Sequence, residues 1–281
     1  MTIVEKPPME SARCDRCVVR DKAMCVVTEL AAQIELGRVS RNRHARADET
    51  ILAENSQSSV VGNVLAGVMR ITKTLADGRQ QVIGLIYPGE FFGRPYAETT
   101  EFAFEAATDV ELCVIERHAF EAVVSRHPEL EHELLLTTLN DLAFSRERSL
   151  LLGCQNTLER IATYLLVMLE RREQLLADMS LERHKRVAVS AINRRDLASY
   201  LSTTIETISR TIHHLSRIGV VRIIDSSHFE VLDPDGLLAL SGLSPDDLKL
   251  FGRVRHVAVG RPAPPHLVAS SSALGPAVRT H

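Results

Sequence analysis

Three cysteines stand close together near the start of the chain as Cys14-x2-Cys17-x7-Cys25, and a fourth, Cys113, lies far downstream. Four thiolates complete the coordination of an iron–sulfur cluster, and four also satisfy tetrahedral zinc. Spacing alone leaves both chemistries open. The segment before the cysteines, Met1-Thr2-Ile3-Val4-Glu5-Lys6-Pro7-Pro8, lacks the apolar stretch of a secretory signal. A cytoplasmic setting is therefore expected, where clustered thiols stay reduced and serve metal or redox chemistry rather than disulfides. The fifth cysteine, Cys154, falls outside the pattern and reads as structural.

For Cys113 to join the other three, it must face outward. In Val110-Glu111-Leu112-Cys113-Val114-Ile115 the side chains alternate, which puts Cys113 with Glu111 and opposite Val110, Leu112 and Val114. An outward cysteine can meet an N-terminal arm; the bland alternative is a small buried hydrophobe. The same strand-like pattern runs from about Ile34 to Ile115. Short apolar runs such as Val60-Val61 and Val82-Ile83-Gly84-Leu85-Ile86 are punctuated by Gly62-Asn63, Ala76-Asp77-Gly78 and Pro88-Gly89. Many short strands with turn signals predict a β-sandwich or jelly roll.

After Ile115 the character changes. Pro128 to Leu152 contains no internal Pro or Gly, and Leu130, Leu134, Thr138, Asp141-Leu142, Ser145, Ser149 and Leu152 recur at three- and four-residue spacings. One long helix is predicted there, longer than a small β domain needs, and it reads as a dimer seam. Gly153 is taken to end it. A second helix carries Leu158, Ile161, Ala162, Leu165, Leu166, Met168 and Leu169, followed by a basic connector from Arg171 to Arg186.

Although the net charge is −3, basic charge gathers locally: between Arg183 and Arg222 eight Lys or Arg meet only two acids, Asp196 and Glu206. Asn193 with Asp196 marks a helix start. Thr203-x-x-Glu206 reads as a capping box, and Gly219 sits where a left-handed C-terminal cap belongs. Strand, turn and strand follow from Val220 to Val231, so the segment reads as a winged helix-turn-helix. On its second helix Ile205, Ile208, Ile212 and Leu215 form an apolar stripe. Glu206, Ser209, Arg210 and His213 form a polar one. Arg can fork onto guanine, Glu can accept from cytosine, and Ser can bond a base or a phosphate. With Thr204 at the helix start, these are the candidate contacts to double-stranded DNA.

At Leu197-Ala198-Ser199-Tyr200-Leu201 and Thr204-Ile205-Glu206-Thr207-Ile208-Ser209-Arg210 the chain resembles the CRP/FNR superfamily of transcription regulators. Asn63 to Ile71, Asp77-Gly78-Arg79-Gln80-Gln81 and Pro88-Gly89-Glu90-Phe91-Phe92-Gly93 extend the resemblance to roughly Cys14–Leu240. It implies an α+β chain with a β-roll, cyclic-nucleotide-binding-like sensor domain, a long dimerisation helix and a C-terminal winged helix-turn-helix. Expected boundaries are 1–26 for a cysteine-bearing arm, 27–116 for the sensor, 117–152 for the dimer helix and 153–241 for the DNA reader. Residues 242–281, rich in Pro, Ser and Ala, are expected to form a disordered tail. One departure is Ser202, where the family often has Gly at the helix-turn-helix turn.

The cyclic-nucleotide members of that family hold phosphate with a Gly-Glu turn and a following Arg-Ser pair. Gly89-Glu90 is present, but no Arg-Ser pair follows, and Glu98 and Glu101 would repel phosphate. The cysteine layout instead resembles the FNR branch, and the x7 gap its FnrL-type members. There the resemblance implies a [4Fe-4S] cluster on Cys14, Cys17, Cys25 and Cys113 that stabilises a homodimer. Oxygen destroys the cluster, and specific DNA binding is lost. It also assigns Glu206, Ser209 and Arg210 to a TTGAT-like palindromic half-site, and Leu75-Ala76-Asp77-Gly78-Arg79 to RNA polymerase, as in an activator. The alternative is a cluster-free thiol-redox, or zinc-bound, regulator of the same family. No nucleophile–base arrangement, phosphate loop or carboxylate pair points to an enzyme, and no apolar run approaches the ~18 residues of a membrane span.

Overall fold

The computed structural model describes Cys14 and residues 17–19, 22–26, 30–178, 187–189 and 192–251. A 3-10 turn, Met24–Val26, leads to helix α1 (Leu30–Val39). Ile34 therefore lies on a helix and not in a first strand. The helix α1 buries Ala32 and, four and five residues on, Leu36 and Gly37, which is helical and not strand spacing.

The sensor is two antiparallel four-stranded sheets. One is ordered β1 (Ser40–Ala45), β8 (Val110–Glu116), β3 (Val60–Ala66), β6 (Phe91–Phe92). The other is ordered β2 (Thr50–Leu52), β7 (Ala103–Ala106), β4 (Met69–Thr74), β5 (Gln80–Ile86). Inward residues from both, among them Val64, Met69, Ile86, Phe92, Phe104 and Leu112, fill the space between them. This is the expected β-roll.

Helix α2 (Arg117–Val124) starts at Glu116, whose carboxylate accepts from the Ala119 N–H. Helix α3 (Pro128–Cys154) opens with proline at its first position and Glu129 and Glu131 in its first turn. It runs through Gly153, so the expected break comes two residues late, at the extended Gln155. A single helical glycine is tolerated. What starts the next helix, α4 (Thr157–Asp178), is a reciprocal capping box: Asn156 Oδ1 accepts from the Glu159 N–H, and Glu159 Oε2 from the Asn156 N–H. The first part of the basic connector is thus helical, to Asp178.

Leu130 and Leu134 are buried against the sensor, whereas Leu135, Leu139, Leu142 and Leu150 are half-exposed or more. Among the described residues the uncovered apolar edge of α3 is therefore this second set, with steps of four, three and eight residues, and only Leu142 of the expected stripe belongs to it.

The C-terminal domain holds α5 (Arg194–Tyr200) and α6 (Ile205–Arg217), and a sheet ordered β10 (Val221–Ile223), β11 (His228–Val231), β9 (Val187–Val189). The strand β9, just after the basic connector, adds a third member to the wing. Helix α7 (Pro234–Ser241) ends at Gly242, which adopts φ 69°. The tail does not begin there. Ser244 Oγ accepts from the Asp247 N–H, Asp247 accepts from the Ser244 N–H, and proline follows Ser244, so α8 (Pro245–Phe251) is properly capped. Disorder expected over 252–281 falls outside the described residues.

Candidate cluster site and nucleic-acid interface

The burial of β8 follows the predicted alternation: Val110, Leu112 and Val114 are buried, Glu111 is exposed and Cys113 is half-buried. Cys113 pairs in register with Asn42 of β1 and Asn63 of β3, so the three side chains share the outer face of the sheet. Asn63 is buried even there, and its Oδ1 has no hydrogen-bond partner among the described residues.

Cys14, Cys17 and Cys25 are half-buried as well. The Cys17 N–H donates to the Cys14 carbonyl at 3.3 Å. Cys14 Sγ lies over α1, where a Cβ placed on Gly37 would stand 3.3 Å from it. Burial, and then the neighbouring Cys17, Cys14 and Cys113, push the Cys25 thiol up to about 12. Cys25 packs on the core that includes Ile115 of β8, so the arm lies beside the strand that carries Cys113. Among the described residues no set of three or more His, Cys, Asp or Glu is drawn in as a closed metal cage. The donor chemistry fits a cluster all the same. Four thiols are a complete donor set for such a centre, and a buried thiol held neutral, as Cys25 is, gives up its proton when a cationic metal binds it. No cysteine is in a disulfide, and Cys154 is exposed at the end of α3, so it is not the packed structural residue expected.

Cys25 also packs against a core of Met24, Leu36, Phe120, Val124, Leu130 and Leu134. The cysteine arm thus rests on the first turns of α3.

Helix α6 is held by Ile208, Ile212 and Leu215, all buried. Ile205 is 44% exposed because it occupies the first turn at the margin of that stripe. The N-cap is Thr204, whose hydroxyl accepts from the Thr207 N–H, so the expected box on Thr203 is displaced by one residue. The Glu206 carboxyl is held below its usual range by its own backbone N–H, by the Thr204 hydroxyl and by Arg210. Glu206, Arg210 and His213 are exposed, and Ser209 is half-buried. Gly219 takes φ 79°, the left-handed stop predicted for it. Ser202 takes φ 53°, the conformation that glycine adopts without strain. Lys185 and Arg186 lie outside the described residues.

The other side of α5 is fixed to the sensor. Its N-cap Asn193 accepts from the Asp196 N–H, and the buried Asp196 carboxylate accepts from Arg70 on β4 at 2.8 Å. Arg70 also donates to Glu105 and Asp48, at 2.9 Å each. The Val82 N–H of β5 donates to Ser199 Oγ, and Arg148 of α3 donates to the carbonyls of Val82 and Tyr200. These charges and bonds, remote in sequence, were not foreseen.

Two family descriptions match the chain: "Cyclic nucleotide-binding domain" over residues 42–127 and "Crp-like helix-turn-helix domain" over residues 159–240. A probable transcriptional activator of Rhizobium leguminosarum bv. viciae is 34% identical over 224 residues, 80% of this chain and 91% of that one. Transcriptional activator protein FnrL of Cereibacter sphaeroides is 32% identical over 242 residues, 86% and 96% of the two chains. The chain belongs to the CRP/FNR family of transcription regulators. Among solved structures, FixK2 from Bradyrhizobium japonicum superposes with a TM-score of 0.64 at 27% identity, covering 73% of this chain and 99% of that one. The CRP/FNR fold, a roll followed by a long helix and a winged reader, is the one described above. This CRP/FNR chain is a DNA-binding transcription regulator and not an enzyme, and regulators of the family act as dimers. Among the described residues no helix is long and apolar enough to cross a membrane.

Proposed function

We propose that this regulator is oxygen-responsive, with a [4Fe-4S] cluster held by Cys14, Cys17, Cys25 and Cys113. One observation supports the reading: Cys14 Sγ lies against Gly37 of α1, and Cys25 packs on the core that holds Leu36 of α1 and Ile115 of β8, so the cysteine arm is folded down beside the strand that carries Cys113. When bound, the cluster supplies the reactivity toward oxygen. The chain's own residues supply the response. Met24 and Cys25 pack with Leu130 and Leu134, so an arm drawn down on its cysteines braces the start of α3. The braced helix presents Leu135, Leu139, Leu142 and Leu150 to the same edge of a second copy. An arm released from its metal withdraws that support, and the population shifts toward monomer.

The dimer presents two α6 helices to a TTGAT-like palindrome, with Arg210 and Glu206 exposed to read bases and Thr204, Ser209 and His213 alongside. The β4–β5 hairpin, with its exposed Leu75, offers a surface to RNA polymerase. Cyclic nucleotide has no part in this reading. Arg94, a cation close after the Gly89-Glu90 turn, is paired with Glu101 at 3.3 Å.

The test is protein purified without oxygen. It should be brown and carry about four iron per subunit, with matching labile sulfide. Replacement of Cys14, Cys17, Cys25 or Cys113 by Ser should remove the colour, and Cys154→Ser should keep it. One zinc per subunit, or metal-free thiols that switch DNA binding, would establish the zinc or thiol-redox regulator instead.

A further inference from the structure

Ser209 sits on the face of α6 that meets DNA, yet its hydroxyl is already engaged from behind. Arg194 Nη1, from the first residue of α5, donates to Ser209 Oγ at 2.7 Å. A guanidinium has only donors, so this bond occupies a lone pair of Oγ and leaves the hydroxyl proton unused. Helical Ser and Thr commonly spend that proton on the carbonyl four residues back, as Thr138 and Ser149 do in α3. Ser209 makes no such bond, and among the described residues Arg194 is its one hydrogen-bond partner. A cation donating to Oγ also polarises the O–H and strengthens it as a donor.

Arg194 is in turn well anchored. It follows the N-cap Asn193, whose side chain bonds both the N–H and the carboxylate of Asp196. Its own Nε is buried and has no hydrogen-bond partner among the described residues. The side chain is therefore seated inside the helix pair and not extended into solvent.

We propose that Arg194 is a positioning residue for base reading, fixing Ser209 so that it meets DNA as a hydrogen-bond donor. The inference rests on α6 being the helix that enters the major groove. A donor at this place selects bases that present an acceptor: thymine O4, guanine O6 and N7, or adenine N7. It disfavours cytosine, which offers only its N4 amino donor there. Ser209 thus reads one defined position of the half-site, and its preference at that position depends on Arg194.

The test uses the full-length dimer, prepared and assayed without oxygen, on half-site duplexes with each of the four bases at each position. Wild type should favour T, G or A over C at a single position that Ser209→Ala flattens. Arg194→Ala should flatten the same position by roughly two- to tenfold, the worth of one neutral hydrogen bond, and leave the others unchanged. Combining the two substitutions should add nothing further at that position. Arg194→Lys, which keeps a donor and a charge, should restore part of the preference. Circular dichroism and sedimentation of each variant confirm that helices and dimer persist. If Arg194→Ala weakens all duplexes alike and lowers the salt slope by about one, Arg194 is a phosphate anchor and the proposal fails while DNA reading stands. If Ser209 instead favours C, or if Arg194→Ala leaves its preference intact, the proposal also fails. A wild-type protein with no base preference anywhere would overturn the reading of α6 itself.

Discussion

Arg70 on β4 and Asp196 at the head of α5 form a buried ion pair at 2.8 Å that joins the sensor to the DNA reader. Burial works against the Arg70 charge, but its hydrogen bonds to the carboxylates of Glu105, Asp48 and Asp196 outweigh it and raise the guanidinium pKa. One cation thus holds three carboxylates from two domains.

Removing that cation strands the buried carboxylates. Arg70→Ala should destabilise the docked arrangement by about 3–5 kcal/mol, the usual result of orphaning a buried partner. Asp196→Asn, which keeps an acceptor for Arg70, should cost less. Hydrogen exchange of the α5 amides is the direct measurement; unchanged protection in Arg70→Ala would show that the hydrogen bonds to Val82 and Tyr200 hold the reader without it.

The two faces of α3 should answer differently to substitution. Leu142 is 45% exposed, so Leu142→Asp leaves each subunit folded but puts an unpaired charge on the seam. Monomers are expected under nitrogen by sedimentation. Leu130 is fully buried, and Leu130→Ala should lower thermal stability by about 2–5 kcal/mol. A Leu142→Asp dimer would move the interface off this helix.

Ser202 invites a stabilising substitution. Its left-handed backbone costs roughly 1–2 kcal/mol, against roughly 0.4–1 kcal/mol for the extra freedom glycine adds to the unfolded chain. Ser202→Gly should therefore stabilise the reader by about 0.5–1 kcal/mol, read as a higher denaturation midpoint. Loss of stability would mean that its side chain supports the turn, where Gln81 approaches Ser202 Oγ.

Arg210→Ala should weaken binding to a TTGAT-like site by about 1–3 kcal/mol through loss of a bidentate guanine contact. Binding to random duplexes should change little. Equal losses on both would make Arg210 a phosphate contact. Thr204→Ala should cost about 1 kcal/mol of helix stability through its lost cap, visible without any DNA.

What local patterning encodes was legible in the sequence. The outward Cys113, the Asn193 start and the Gly219 stop each follow from a few neighbouring residues. Boundaries were less so, because Asn156–Glu159 and Ser244–Asp247 cap helices where a glycine and a Pro-rich tail drew the eye. Periodicity on α3 shows that a helix has apolar residues without showing which of two adjoining stripes its own domain buries. The Arg70–Asp196 pair spans 126 residues, and no spacing rule reaches that far. Arg194 was passed over for the same reason: its partner is on the next helix, and in sequence it is one basic residue among several.

The strand β5 is the outermost of its sheet, and its sequence Gln80-Gln81-Val82-Ile83-Gly84-Leu85-Ile86 contains no lysine or proline to discourage pairing with a stranger. In the intact chain Ser199 takes the Val82 N–H, and Arg148 takes the Val82 carbonyl. The reader domain therefore also serves as a lid on a sticky margin. A dissected sensor that stops before α4 keeps Arg148 but bares the Val82 N–H and the apolar side chains around it. Such a fragment would add strands from its neighbours and come out of solution. Workers who wish to study the cysteine site alone would do better to keep α5 than to trim the chain at the end of the long helix.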